Sequence, residues 1–252
     1  MKLYDFQNWS DTESRSVQLV DRQPYEPMFE ETFSTIRKGW NVIDVGSAVR
    51  YYTIKAGLAV GEEGKVLAIE PHPQVVKVLK MNLKIYGLRN VSVVQKAVGN
   101  KKGRVRLYEG PSRGGTSISP PPGLSNPDVL FLRFIEVLKK GQGRRMFQKA
   151  LNRCRYTPTR LVNIDLLDDI VEQAEVRRVD LIKMDIQGSE LEAIQGSRNV
   201  IEKYKPTLLI EVHRRWNWEP EELLTFLENL GYEIEKQPGH ALLVKGVSQN
   251  AC

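Results

Sequence analysis

The segment NVIDVGSAVRYYT, residues 41–53, carries the clearest structural signal in this chain. It begins with a short run of β-branched residues that contains one acid, Asp44. Gly46 and Ser47 interrupt this run, and a helix-compatible segment from Tyr51 to Val60 follows. This order predicts a strand, a tight turn and the start of a helix. A glycine in such a turn lets the backbone approach a ligand, and the helix N-terminus offers unpaired N–H groups to an anionic group.

A second apolar run, Lys65 to Ile69, ends in the acid Glu70. Glu70 follows Gly46 by 24 residues, close to the spacing at which an acid accepts the ribose hydroxyls of a nucleotide cofactor. The alternative is that Glu70 is a surface acid at a strand end and Asp44 a turn acid. The two features together favour a site for a nucleoside-type cofactor.

The length of 252 residues fits one large α/β domain, or one domain with a lid. The net charge of +6 at pH 7 is compatible with an acidic partner and equally with a simple role in solubility. The chain has two cysteines and no C-x-x-C pattern, so we expect neither a disulfide framework nor a cysteine metal site. The first residues form no apolar leader and no apolar run reaches the length of a membrane span, so we expect a cytoplasmic protein.

Strand-like and helix-like segments alternate along most of the chain, which predicts a mostly parallel sheet with helices on both faces. Near the end, Tyr232–Lys236 and Ala241–Val244 face each other across a turn, which predicts a hairpin and one antiparallel strand. We expect residues 1–40 to form an N-terminal arm and a helix. Residues 41–250 would form the main domain, interrupted by a loop and helical lid at 110–160.

The insertion at 110–160 begins with a segment rich in Gly, Ser and Pro and then predicts two helices. In the second helix Arg145, Lys149 and Arg153 recur every fourth residue and form one positive stripe. Three interpretations stay open: a lid with a solvated basic face, a lid that binds an anionic substrate, and a helix that binds a membrane surface or RNA. The sequence has no recognisable RNA-binding module, so a nucleic-acid partner is less favoured.

Several motifs follow one another in a fixed order. They are DVG at 44–46, YYT at 51–53, IEP at 69–71, AVG at 97–99, LDDI at 167–170, KMDIQGSE at 183–190 and IEVH at 210–213. The ordered set resembles the FkbM-type methyltransferases, a branch of the class I S-adenosylmethionine-dependent enzymes. The resemblance implies a Rossmann-like α/β fold with a seven-stranded sheet and a reversed last strand. It also implies S-adenosylmethionine as methyl donor and O-methylation of a hydroxyl, often on a sugar or a polyketide-like product.

The same resemblance implies roles for single residues. Asp44, Gly46 and Ser47 would lie along the methionine half of the cofactor. Glu70 would hold the ribose hydroxyls, and Ala97 with its neighbours would flank the adenine. The position of His72 beside Glu70, and not the resemblance, indicates that it lines the adenosine edge, with a solvated turn histidine as an equally favoured alternative. The full expected cofactor-binding set is Asp44, Gly46, Ser47, Tyr52, Glu70, Pro71, His72 and Ala97.

Asp185 and His213 each follow a predicted strand, and ligands of open α/β sheets bind beyond the carboxyl ends of the strands. A hydroxyl acceptor needs a base or a cation to become nucleophilic, so these two residues are the candidate catalytic groups. A structural role is the alternative for His213. Glu190 and Glu211 would complete a divalent-metal site with them. Acids at such helix and strand positions are more often capping or packing residues, so we expect no metal.

Two positions depart from the usual pattern of the family. Arg50 and Gln187 stand where the family usually has glycine and glutamate. Arginine adds bulk and charge beside a site that must accept a sulfonium cation. The function we favour is O-methylation of a hydroxyl on a sugar, a glycan or another small metabolite. The alternatives are an RNA methyltransferase that uses the basic insertion, and a catalytically impaired binding relative in which Arg50 closes the cofactor site.

Overall fold

The computed structural model describes residues 27–48, 51–109, 116–118, 157–213, 220–236 and 241–246. The N-terminal arm, Arg50 and the basic stripe of Arg145, Lys149 and Arg153 lie outside the described residues. The described elements are, in chain order, α1 (Pro27–Ser34), β1 (Asn41–Val45), α2 (Tyr51–Val60), β2 (Lys65–Ile69), α3 (Pro73–Ile85), β3 (Val91–Val94), β4 (Ala97–Val98), β5 (Gly103–Glu109), β6 (Thr116–Ser117), β7 (Thr157–Asp165), α4 (Leu167–Gln173), β8 (Leu181–Met184), α5 (Glu190–Gln195), α6 (Arg198–Tyr204), β9 (Thr207–Glu211), α7 (Pro220–Asn229), β10 (Tyr232–Lys236) and β11 (Ala241–Gly246).

The main sheet has seven strands in the order β10-β11-β9-β8-β1-β2-β3. The five strands from β9 to β3 are parallel, whereas β11 runs antiparallel to both of its neighbours. The predicted Rossmann-like α/β sheet with a reversed last strand is therefore confirmed. β1 lies in the middle of the parallel part, between β2 and β8. The turn after β1 therefore lies between the carboxyl ends of these two neighbouring strands.

Both faces of the main sheet are covered by helices. Apolar side chains of α1, α2 and α3 pack on one face, and those of α4 to α7 pack on the other. The central strands are buried on both sides, which explains why they read as continuous apolar runs rather than as alternating ones. Among the described residues, no helix combines the length and the apolar character that a membrane crossing requires.

A second sheet of four strands, in the order β4-β7-β5-β6, departs from the prediction. The sequence predicts one strand from Val91 to Val98, but the chain leaves the main sheet after Val94 and continues as β4 beside β7. Ala97, Leu107 and Ile164 lie in a small core of this second sheet. This core draws its residues from β4, β5 and β7, whereas Val98 of β4 packs in the main core, so β4 contacts both cores.

The sequence also predicts one helix from Glu190 to Tyr204, whereas the structure has two, α5 and α6, which are separated at Gly196 and Ser197. The chain packs closely there against the turn after β4. A Cβ atom on Gly196 would lie 2.0 Å from the carbonyl oxygen of Gly99. The contact between Gly196 and Gly99 therefore packs the helices on the main sheet against the turn that follows β4 of the second sheet.

Replacing Gly196 with alanine should lower the free energy of unfolding by about 3 kcal/mol, because the new methyl group meets backbone that cannot turn aside. Gly87→Ala is the matched control. Gly87 has a φ of +66° but nothing within 4 Å of an added Cβ, so only the conformational cost of roughly 1–2 kcal/mol applies. Urea denaturation measures both values. Equal losses in the two variants would contradict the close contact at Gly196.

Candidate active site

An open cavity lies at the carboxyl ends of β1, β2 and β8. Its lining is formed by Val45, Gly46, Ala48, Ile69, Glu70, Pro71, Lys96, Ala97, Val98, Leu107, Ile118, Asp185, Ile186 and Gln187. Five sequence-predicted site residues belong to this lining, namely Gly46, Glu70, Pro71, Ala97 and Asp185. The other predicted residues in the described ranges, Asp44, Ser47, Tyr52, His72 and His213, lie outside the lining. The predicted substrate contacts Arg145, Lys149 and Arg153 fall outside the described residues.

The turn after β1 is clamped between β2 and β8. The N–H groups of Gly46 and Ser47 both donate to the carbonyl oxygen of Ile69, at 2.9 and 3.2 Å. Gly46 has a φ of +76°, and a Cβ atom there would lie 1.9 Å from the carbonyl oxygen of Asp185. Glycine is therefore required here, as the sequence predicts. The close approach that the structure shows is to the protein's own backbone at β8.

Asp44 holds this turn from inside the sheet. Its side chain is fully buried and accepts a 2.6 Å hydrogen bond from the hydroxyl of Thr53. The ammonium group of Lys183 lies 3.2 Å from Asp44 Oδ1 and donates to the carbonyl oxygen of Gly46 at 3.1 Å. The sequence predicts that Asp44 lies along the cofactor. In the structure its carboxylate instead pairs with the buried Lys183.

Lys183 is a buried residue beside the site to which the sequence analysis assigned no role. It lies in register with Asp44 on the neighbouring strand, and its side chain is only 2% exposed. Its ammonium group also lies 5.3 Å from the ring centroid of Tyr52, which packs against Phe33. Tyr52 thus contacts the buried charge instead of the cavity. The signal was available, since one acid and one lysine each interrupt an otherwise apolar strand.

Glu70 follows β2 and is buried although it lines the cavity. The N–H groups of His72 and Ala48 donate to its two carboxylate oxygens, at 2.9 and 3.2 Å. Burial disfavours the charged form more than these hydrogen bonds favour it, and it raises the pKa of Glu70 to about 7. The carboxylate of Glu70 is thus fixed in orientation at the cavity wall, and it is charged above about pH 7.

His72 and Ser47, two predicted cofactor contacts, are both buried and lie outside the cavity lining. His72 is fully buried, and its Nδ1 atom accepts the N–H groups of Gln74 and Val75 at 3.2 and 3.4 Å. It caps α3, so it is not the solvated turn histidine that we weighed as the alternative. Ser47 is buried too, and within the described part of the chain its hydroxyl has no hydrogen-bond partner.

A polar cluster lies at the carboxyl ends of β8 and β9, beside the cavity. His213 Nδ1 lies 3.1 Å from Glu190 Oε1, and His213 Nε2 lies 3.3 Å from Glu211 Oε1. Gln187 Nε2 lies 2.8 Å from His213 Nε2 and donates to Asp185 Oδ1 at 3.0 Å. The structure therefore brings together the two predicted catalytic residues, Asp185 and His213, and the two acids considered as further metal ligands, Glu190 and Glu211.

The pKa shifts in the cluster differ between the two catalytic candidates, Asp185 and His213. Burial raises the pKa of Asp185 against the pull of Lys183. Burial disfavours the charged form of His213, but hydrogen bonds with Glu190 and Glu211 outweigh it and raise the pKa of His213 to about 10. With no ion bound, His213 already carries its proton at neutral pH. This favours Asp185 over His213 as the group that accepts a proton.

Glu190 lies at the first position of α5, directly after Ser189. Ser189 occupies the N-cap position, but its side chain makes no capping hydrogen bond. Glu190 accepts the N–H of Gly188 at 2.8 Å with the same oxygen that faces His213. The buried acid therefore links the start of α5 to the end of β9.

The site is a cavity across three strand ends, with the acid Glu70 after β2 and the carboxylate of Asp185 after β8. Residues 44–234 match the model of the family described as methyltransferase FkbM domain. The chain belongs to the FkbM methyltransferase family. The match confirms the resemblance that the motifs carried, and membership of this family makes S-adenosylmethionine the cofactor.

Individual relatives of this FkbM family member match only in part. Proteins of Sulfolobus acidocaldarius and Sulfurisphaera tokodaii, both named probable cobalt-precorrin-6B C(15)-methyltransferase (decarboxylating), are each 42% identical over 57 residues. The match covers 23% of this chain and 30% of each relative. The crystal structure of the methyltransferase FkbM from Methylobacillus flagellatus KT is 19% identical with a TM-score of 0.54. It covers 88% of this chain and 48% of that one, and it supports the fold alone.

Lys183→Met should lower the free energy of unfolding by about 3–5 kcal/mol, because Asp44 is left as a buried unpaired charge. Adding Asp44→Asn should restore part of this loss, since the second change removes that charge. Urea denaturation of the two single variants and the double variant measures the coupling. The control is Lys102→Met, which breaks an exposed pair with Asp169 and should leave stability nearly unchanged. Additive losses at Asp44 and Lys183 would contradict the pairing.

Proposed function

We propose that this chain transfers the methyl group of S-adenosylmethionine to a hydroxyl of a sugar, a glycan or another small metabolite. One observation carries the proposal. A single cavity is lined by the Glu70 carboxylate, by the apolar pair Ala97 and Val98, and by Asp185. A ribose, an adenine and a reacting centre need these three kinds of surface side by side.

Glu70 is the proposed partner of the ribose hydroxyls. Each of its carboxylate oxygens accepts one backbone N–H, and each has further lone-pair capacity for a hydroxyl donor. The backbone bonds from Ala48 and His72 also fix the orientation of the carboxylate. The adenine would lie against Ala97 and Val98, and the methionine part would follow the turn at Gly46.

Methyl transfer from a sulfonium is an in-line displacement for which the cofactor supplies the reactivity. The protein must hold the acceptor in line, exclude water and remove the hydroxyl proton. Asp185 is the proposed base, because it lines the cavity and burial raises its pKa above that of an ordinary aspartate. The Gln187 amide and the Lys183 ammonium group, 3.0 and 4.0 Å from its two oxygens, keep the carboxylate in place.

Oxygen as the methylated atom and an anionic acceptor are further parts of the proposal. A cavity carboxylate with a raised pKa suits removal of a proton from a hydroxyl. The basic stripe of Arg145, Lys149 and Arg153 supplies positive charge in the sequence, and it favours an acceptor with negative charge. No contact is assigned to these cations, because they lie outside the described residues.

The affinity for S-adenosylhomocysteine should depend on pH through Glu70. Ribose hydroxyls donate to the ionised carboxylate, so the bound product lowers the pKa of Glu70 from about 7 and releases a proton. Affinity should be level above pH 7 and should fall by about tenfold per pH unit below it. Glu70→Gln should bind weakly with a flat profile. Calorimetric titration from pH 5.5 to 8 tests this, and a flat profile for the wild type would remove Glu70 from the cofactor site.

Asp185→Asn should lower turnover by about 10²–10⁴-fold, because the amide cannot accept the hydroxyl proton. The affinity for S-adenosylhomocysteine should stay within a few-fold of the wild-type value. The measurement is transfer of a radiolabelled methyl group to a panel of free sugars, glycans and polyols, with products identified by mass spectrometry. Asp169→Asn, at a partly exposed position of α4 away from the cavity, is the control. Unchanged turnover in Asp185→Asn, or transfer only to carbon, would contradict the proposal.

A further inference from the structure

We propose that the carboxyl ends of β8 and β9 form a binding site for a divalent metal cation, with Asp185, Glu211 and His213 as its ligands. These residues do not follow one another in sequence. The sheet brings them together, because β8 and β9 are parallel neighbours and end at the same edge. Asp185 also lines the cofactor cavity, so an ion held there would lie beside the reacting groups.

The spacing of the three ligand atoms suits one small cation. His213 Nε2 lies 3.3 Å from Glu211 Oε1 and 3.9 Å from Asp185 Oδ1, and the three atoms lie within 4.8 Å of one another. Around an octahedral cation with ligands at about 2.1 Å, adjacent ligands lie about 3 Å apart and opposite ones about 4.2 Å apart. Small side-chain movements are therefore enough to close the three ligands on an ion.

His213 is already held in the orientation that a metal ligand requires. Its Nδ1 atom faces Glu190 Oε1 at 3.1 Å, and the side chain of Glu190 is fully buried. With Nδ1–H donated to this carboxylate, the lone pair of Nε2 is directed towards Asp185 and Glu211. A carboxylate that orients a histidine from behind in this way is the usual support of a metal-binding imidazole.

Two further observations concern the charge balance of the cluster. The second oxygen of Glu190, Oε2, is buried and has no hydrogen-bond partner among the residues that the structure describes. The lysine nearest the cluster, Lys183, lies 4.0 Å from Asp185 but 3.2 Å from Asp44, with which it forms a closer pair. Within the described ranges, three carboxylates therefore surround one imidazole, and the side chain of Glu190 among them is fully buried. A buried carboxylate is costly unless a positive charge lies beside it. Without an ion the protonated His213 supplies this charge, and a divalent cation would supply it with His213 as a neutral ligand.

Gln187 supplies a fourth position. Its Nε2 atom lies between Asp185 Oδ1 and His213 Nε2, at 3.0 and 2.8 Å. A half-turn of the amide about its last bond exchanges Nε2 for the carbonyl oxygen, which is a neutral oxygen ligand. Gln187, which stands where the family usually has glutamate, thus keeps an oxygen that can bind a metal but carries no negative charge.

The ligand set identifies the class of ion. Two carboxylates and an amide oxygen suit hard cations, whereas the imidazole favours transition metals, so Mn²⁺ matches the combination better than Mg²⁺ or Ca²⁺. The role of the ion rests on the proposed function. Beside Asp185 it would hold the acceptor hydroxyl and lower the pKa of that hydroxyl.

The test is Mn²⁺ binding to the full chain after treatment with a chelator, with free Mn²⁺ measured by electron paramagnetic resonance. We expect one saturable site per chain, weakened at least about tenfold in Glu211→Gln. Glu202→Gln, at an exposed acid of α6, is the control and should bind as the wild type does. In the wild type, electron spin echo spectra should show a histidine nitrogen bound to Mn²⁺. This readout stays valid even if the Glu211 variant folds poorly.

Absence of a saturable site, equal affinity in Glu211→Gln and Glu202→Gln, or a spectrum without nitrogen coupling would overturn the metal proposal. Titration of the same samples with S-adenosylhomocysteine separates it from the proposed function. Mn²⁺ binding without binding of S-adenosylhomocysteine would support the metal site and contradict the cofactor role of the cavity. The reverse result would overturn the metal site and leave methyl transfer standing.

Discussion

The buried contact between Asp44 and Lys183 is the interaction on which the site depends. It joins the central strand β1 to β8, and the same ammonium group holds the carbonyl oxygen of Gly46. A charge pair inside a sheet stabilises little by itself, because removing both ions from water costs about as much as their attraction returns. Its effect here is positional. It fixes the turn at Gly46 against β8, and the cavity opens directly beyond that turn.

From this turn, the rest of the site follows from the topology. β1, β2 and β8 are parallel neighbours, so the residues after them meet at one edge of the sheet. Glu70 then faces the cavity from one side and Asp185 from the other. The second sheet closes the wall with Ala97, Val98 and Leu107. Each wall differs in chemistry because each comes from a different strand end, which is how one α/β scaffold presents polar and apolar surfaces to a single ligand.

The sequence predicts the elements whose signals are local. The run that ends at Gly46, the strand before Glu70 and the final hairpin could all be read from periodicity and turn residues. What it could not supply are properties set by partners far along the chain. Asp44 reads as a cofactor contact until Lys183 is placed beside it. The division at Gly196 depends on contact with Gly99, and the charge of His213 depends on Glu190 and Glu211.

The most direct test of the account is calorimetric titration of the full chain with S-adenosylhomocysteine, repeated on Gly46→Ala and Gly39→Ala. Both glycines have a φ near +78°, at +76° and +79°, but only Gly46 faces the backbone of β8, and an added Cβ on Gly39 meets nothing within 4 Å. We predict one bound molecule per chain for the wild type and for Gly39→Ala, and loss of binding for Gly46→Ala. A folded wild-type chain without saturable binding, or normal binding by folded Gly46→Ala, would show that this clamped turn does not form the cofactor site.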